Sequence, residues 1–152
     1  MTQANAKQTA KTIQPPKDWG EFIGGLKLLD LRIREGSYRF SNKLYSAKPP
    51  FSIHMDIEAS FAPQGRDLFE VEQVFTLKVR AKGKKQILGS VKCVVVVLYS
   101  SKSVQIDDAL FEIFKQGTLL LNTWPFIREF THSCTQRAGL PPLVLPLTKF
   151  VP

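Results

Sequence analysis

Twice between Phe51 and Val79, apolar side chains fall on every second residue. Phe51, Ile53, Met55, Ile57, Ala59 and Phe61 alternate with Ser52, His54, Asp56, Glu58 and Ser60. Phe69, Val71, Gln73, Phe75, Leu77 and Val79 then share one face, with Glu70, Glu72, Thr76, Lys78 and Arg80 opposite. A period of two belongs to a strand with one dry face and one wet face, and an α-helix cannot satisfy it. The turn-rich stretch Ala62–Asp67 joins the two runs as antiparallel neighbours. An earlier alternation sets Leu29, Leu31 and Ile33 against Asp30, Arg32 and Arg34, in a strand expected from Leu26 through Tyr38 and Phe40. Ile87–Ser100 is almost continuously apolar through Val94-Val95-Val96-Val97 and reads as a strand buried on both faces. Four strands in succession with short connections predict an antiparallel meander, one face of which must be covered.

The cover is helical. Asp107-Asp108 suits a helix N-terminus, and Leu110, Phe111, Ile113 and Phe114 follow at helical spacing up to Gly117. A second helix is expected from about Asn122-Thr123, with Pro125 in its first turn, where the missing N–H costs nothing. Ile127, Phe130, Thr131, Cys134 and Ala138 make its apolar stripe, and Gly139 ends it. A short helix is also expected near Trp19, opened by a capping box between Asp18 and Glu21. The fold class is α+β, a four-stranded antiparallel sheet with helices packed on one face. The 152 residues suit a single core. The chain divides into a flexible basic arm over 1–17, closed by Pro15-Pro16, and one domain over 18–152.

Lys and Arg number 21 against 13 Asp and Glu, a formal charge of +8. Residues 1–17 carry three lysines without an acid, and Lys82-Gly83-Lys84-Lys85 carries three more. A basic excess first suggests nucleic acid, because Lys and Arg displace counterions from phosphates. Neither segment interleaves its charges with aromatic or helical readout elements, which favours a solubilising tail and a solvated turn. A nucleic-acid-binding module using the two segments stays as the alternative reading.

Catalytic patterns are missing. His54 lies on the polar face of its strand and His132 sits beside Ser133, an adjacency that does not make a triad. Gly20–Lys27 approaches a phosphate loop but places Leu26 where Lys must follow Gly. Cys93 and Cys134 stand apart among apolar neighbours, without metal-ligand spacing. Asp56, Glu58, Glu70 and Glu72 are expected to gather on the outer sheet face, as a solvated face or a docking patch for a basic partner. The expectation is a protein that is not an enzyme and uses no cofactor or metal. With a polar N-terminus and no apolar run long enough to span a bilayer, it is expected in the cytoplasm, without membrane insertion.

The apolar segment from Leu140 to Phe150 holds Pro141, Pro142 and Pro146 and cannot be helical. Either it packs flat on the domain or it helps to build a hydrophobic binding surface. Together with Trp124-Pro125-Phe126-Ile127-Arg128-Glu129, it makes the chain resemble the SecB export chaperones and the SecB-like chaperones of toxin–antitoxin systems. In that family an aromatic-Pro-aromatic/aliphatic-x-Arg-Glu signature opens the main helix. A Pro-rich apolar stretch follows, here Gly139-Leu140-Pro141-Pro142-Leu143-Val144-Leu145, with a Phe shortly after, here Phe150. The resemblance covers roughly residues 26–150.

The resemblance implies an ATP-independent holdase for unfolded polypeptides, preproteins or an antitoxin, working as a homotetramer built as a dimer of dimers. It implies client-binding positions at Phe40, Leu44, Tyr45 and Phe51 in the crossover between the first two strands. On the helix it implies Trp124, Phe126 and Ile127. In the loop it implies Leu140, Leu143, Leu145, Leu147 and Phe150. Family members that dock the export motor SecA use a further acidic tail and acidic positions on the sheet face. Here the sequence stops at Val151-Pro152, and Arg32, Arg39 and Lys92 occupy the outer-strand regions where carboxylates are expected. These departures weigh against SecA as a partner and fit a specialised chaperone, one dedicated to an antitoxin for instance.

Overall fold

The computed structural model describes residues 15–146. Residues 1–14 of the expected arm over 1–17, and the candidate positions Leu147 and Phe150, lie outside the described residues. The elements run α1 (Trp19–Gly25), β1 (Leu26–Phe40), α2 (Asn42–Ser46), β2 (Phe51–Pro63), β3 (Leu68–Ala81), β4 (Ile87–Ser101), α3 (Asp108–Gln116) and α4 (Thr118–Arg137). The class is α+β, with one four-stranded antiparallel sheet.

The strand order is β1-β4-β3-β2, so the expected meander holds for β2 to β4 and fails for β1. Instead of lying beside β2, β1 crosses through residues 41–50 and pairs with the far edge of β4. The composition of β4 explains this. A strand apolar on both faces is poorly suited to an edge, and the order observed places it between β1 and β3. On its inner side Val91, Cys93, Val95, Val97 and Tyr99 are fully buried. On its outer side Val94 and Val96 are nearly so.

The cover on the outer side is ionic. Arg32 and Arg34 of β1 reach over β4 to Glu70 and Glu72 of β3, at 3.8 and 2.8 Å. The two guanidinium stems thus lie along the valine row while their heads stay wet. The Arg34 guanidinium is raised, first by its hydrogen bond with Glu72. The expected acidic patch is therefore partly neutralised by cations of the same sheet. In β1, register shifts at Leu28/Asp30 and Ile33/Glu35 interrupt the simple alternation. They leave Leu29 exposed, while Leu31 and Ile33 still pack on the core.

The inner face carries the core. Phe69 stacks on Tyr99 at 5.4 Å between ring centres, and Phe114 of α3 meets Tyr99 edge-on at 5.1 Å. Phe22 of α1 closes the cluster against Phe114 at 5.9 Å. Burial raises the Tyr99 phenol, while the hydrogen bond that Asn122 Nδ2 donates to its oxygen opposes the shift. Burial also pushes the Cys93 thiol up to about 12 and raises that of Cys134, as suits two inert core thiols.

Asp107 caps α3 by accepting from the Leu110 N–H at 2.8 Å. Asp18 makes no such bond, because its backbone (φ −92°, ψ 5°) is not extended as a side-chain cap requires. There, Trp19 N–H donates to the Pro16 carbonyl and Phe22 N–H to that of Asp18. Helix α4 begins at Thr118 rather than near Asn122, and Pro125 falls inside it. Burial of Leu119, Thr123 and Trp124 against the sheet stabilises this extra turn despite the missing N–H.

One close approach sets the height of α4. Gly36 of β1 pairs with Cys93, and the Phe130 ring of α4 rests directly over it. A Cβ at position 36 would stand 2.5 Å from that ring.

Candidate functional site

The helices cover β3 and β4 but leave the first half of β2 bare, so Phe51, Ile53 and Met55 stay between 37% and 44% exposed on the apolar face. Two segments distant in sequence rise beside this bare strand. The crossover contributes α2, in which the Ser41 hydroxyl accepts from the Lys43 N–H and Leu44 is driven into the core. The segment after α4 contributes a strap over 139–146.

Side chains hold the strap flat. The Trp124 indole N–H donates to the Pro146 carbonyl at 2.9 Å, and Arg128 Nε to the Leu145 carbonyl at 2.9 Å. The Thr135 hydroxyl oxygen accepts from the Leu143 N–H at 3.0 Å. A proline-rich chain cannot complete a strand ladder, and these donors satisfy carbonyls that a sheet would otherwise use. The strap both packs on the domain and faces outward. Leu145 is buried at 2% exposure, Val144 points to solvent at 64%, and Leu140 and Leu143 are half-buried.

Between strap and crossover lies a groove of about 440 Å³. Its floor is Phe40, Phe51, Ile53 and Val79. One wall is Leu44, Tyr45 and Ala47, and the other is Thr135, Gly139, Leu140, Pro141 and Leu143. The Tyr45 hydroxyl donates to the Ala138 carbonyl at 2.6 Å and links the two walls. The groove is nearly all hydrocarbon, so it offers apolar burial with few fixed polar contacts. That suits side chains of an extended, apolar and variable ligand better than one small polar molecule.

The structure brings Phe40, Leu44, Tyr45, Phe51, Leu140 and Leu143 together as lining. It does not bring in the helix residues. Ile127 is fully buried, and Trp124 packs edge-on against Phe75 at 6.4 Å while gripping the strap. Phe126 is exposed, away from the groove lining. Leu145 anchors the strap from beneath. Ile53 and Val79 also line the groove, and Gly89 lies beneath Phe40 of its floor. For Ile53 and Val79 a signal existed, since each shares its alternating face with a residue expected to pack inward.

Gly89 gave none. It pairs with Phe40, whose ring lies against it, and a Cβ there would meet that ring at 2.5 Å. Its missing side chain is what lets Phe40 serve as floor. Gly89→Leu is expected to tip Phe40 upward and fill the groove.

No protein-family model matches the chain, and no curated protein matches its sequence. Among solved structures, the fold is shared with a Mycobacterium tuberculosis SecB-like chaperone, solved in complex with a ChAD peptide from the HigA1 antitoxin. The two superpose with a TM-score of 0.68 and 16% identity, over 87% of this chain and 96% of that one. At that identity the likeness establishes the fold. A protein of unknown function from Streptococcus agalactiae aligns with a TM-score of 0.47 and 9% identity, over 80% of this chain and 97% of that one. No helix among the described residues is long and apolar enough to cross a membrane.

Proposed function

We propose that this protein is a SecB-like molecular chaperone that holds non-native polypeptide in extended form in the groove between crossover and strap. The single observation that carries the reading is the groove itself, an open apolar trough about 440 Å³ in volume on one side of a SecB-like fold. Phe40, Leu44, Tyr45, Phe51, Leu140 and Leu143 take client side chains. Phe126 adds an exposed ring elsewhere on α4. Trp124, Ile127 and Leu145 act beneath the surface by holding the strap in place. Apolar burial alone drives such binding at roughly 25 cal/mol per Å², and it needs no nucleotide.

The chain works as a homotetramer, a dimer of dimers, and serves export preproteins or an antitoxin. The antitoxin reading draws support from the mycobacterial relative in fold, which was solved with an antitoxin peptide. The test is light scattering by a chemically unfolded client diluted into buffer. Stoichiometric chaperone is expected to suppress aggregation, and Gly89→Leu to abolish the suppression while circular dichroism stays native. Unchanged aggregation with the parent protein would overturn the proposal.

A further inference from the structure

The charges of this chain are sorted along the sheet. The stretches 36–55, 73–93 and 130–146 contain no Asp or Glu, and they hold three, six and one Lys or Arg respectively. The fold collects these stretches at one end, because Phe40, Phe51, Val79 and Leu140, drawn from all three, line one groove. The carboxylates that pair with Arg32, Arg34 and Lys115 lie in the other stretches. Asp56, facing Thr76, is the first acid along β2 from the groove end.

The cations therefore surround the apolar trough. Lys43 and Lys48 flank its crossover wall, and Arg137 sits two residues before Gly139 on the other. Lys82, Lys84 and Lys85 are exposed on the turn directly beyond the Phe51–Ala81 pair, and Lys82 N–H donates to the Pro50 carbonyl. None of these six has an ion-pair partner among the described residues. A chain leaving the groove past the Phe51–Ala81 pair runs toward the lysine turn, and charges there act over a Debye length of about 8 Å at physiological salt.

Resting on the chaperone reading above, we propose that the groove selects apolar client segments flanked by acidic residues. The apolar anchor fills the trough, and Asp or Glu on either side meets the lysine turn and the cations of the two walls. A polypeptide fits better than a nucleic acid. The aliphatic side chains of Leu44, Leu140 and Leu143 in the walls and of Ile53 and Val79 in the floor offer no hydrogen-bonding edge to a base, and bury hydrocarbon that a phosphate backbone cannot supply.

The test uses three fluorescent peptides with one apolar core, flanked by Glu, by Ser or by Lys, in anisotropy titrations of the full chain. At about 50 mM salt the Glu-flanked peptide is expected to bind about tenfold more tightly than the Lys-flanked one. Near 500 mM the ratio is expected to fall to about twofold, as screening requires. The triple variant Lys82→Glu, Lys84→Glu, Lys85→Glu is expected to reverse the order while leaving the Ser-flanked affinity unchanged. Equal binding of all three, or preference for Lys flanks, would overturn the charge proposal and leave the groove reading intact. Failure of the Ser-flanked peptide to bind would overturn both. A random single-stranded oligonucleotide that displaces the Glu-flanked peptide with equal or better affinity would also overturn it.

Discussion

Gly36→Val is expected to destabilise the fold by about 2 kcal/mol, although valine is among the best strand formers. On an open strand the exchange gains up to about 1 kcal/mol, from β-propensity and from the lower entropy of the unfolded chain. Here the Phe130 ring occupies the space, 2.5 Å from where a Cβ would stand. Overpacking of this kind costs about 1–3 kcal/mol, and a second branch on Cβ puts the cost at the top of that range or above it. Phe130 cannot easily withdraw, since it is fixed to α4 between the buried Ile127 and Cys134. Truncating the ring makes room, so Phe130→Ala should rescue Gly36→Val, with a coupling of about 2 kcal/mol in a double-mutant cycle. Urea denaturation of the four proteins measures it. Additive losses would show that the ring and the glycine are not in contact.

Leu145→Ala and Leu143→Ser are expected to separate the two jobs of the strap. Leu145 is 2% exposed and packs in the core, so its truncation should cost about 2–4 kcal/mol and lower the melting temperature by about 10 °C. The loss also releases a strap whose Leu145 and Pro146 carbonyls are held by Arg128 and Trp124. Leu143 is half-buried on the groove wall, and its link to α4 is made by the backbone N–H to Thr135, which serine retains. Leu143→Ser should therefore leave the melting temperature within a few degrees and weaken client binding about tenfold, the equivalent of about 1.4 kcal/mol. Differential scanning calorimetry together with peptide anisotropy gives both readouts. A large drop in melting temperature for Leu143→Ser would make that residue structural.

The strands were legible because their apolar residues keep period two through Phe51–Phe61 and Phe69–Val79. Their order was not, because alternation marks a strand's face and says nothing about its neighbour. The valine run in β4 carried the missing clue, since a doubly buried strand belongs in the middle of a sheet. Pro125 misled for a related reason. Local chemistry places proline in a first turn, whereas burial of Leu119 and Trp124 carries the helix past it. In the groove, side chains could be nominated through the family resemblance, but Ile127 and Leu145 share the apolar character of Leu140 and Leu143 while facing the opposite way. Gly36 and Gly89 act through atoms they lack, and an absence leaves no periodic mark.

The bond from Tyr45 to the Ala138 carbonyl joins positions 93 residues apart, and the groove needs both. During synthesis the chain therefore emerges with one wall and most of its floor long before the other wall exists. Non-local contacts of this span form late, after the loop between them has been closed. A nascent copy exposes Phe51 and Ile53 yet has no trough to hold a guest. On the chaperone proposal, client capture would therefore switch on only with the final closure of the domain, and a half-made copy would not sequester the polypeptides its finished form protects.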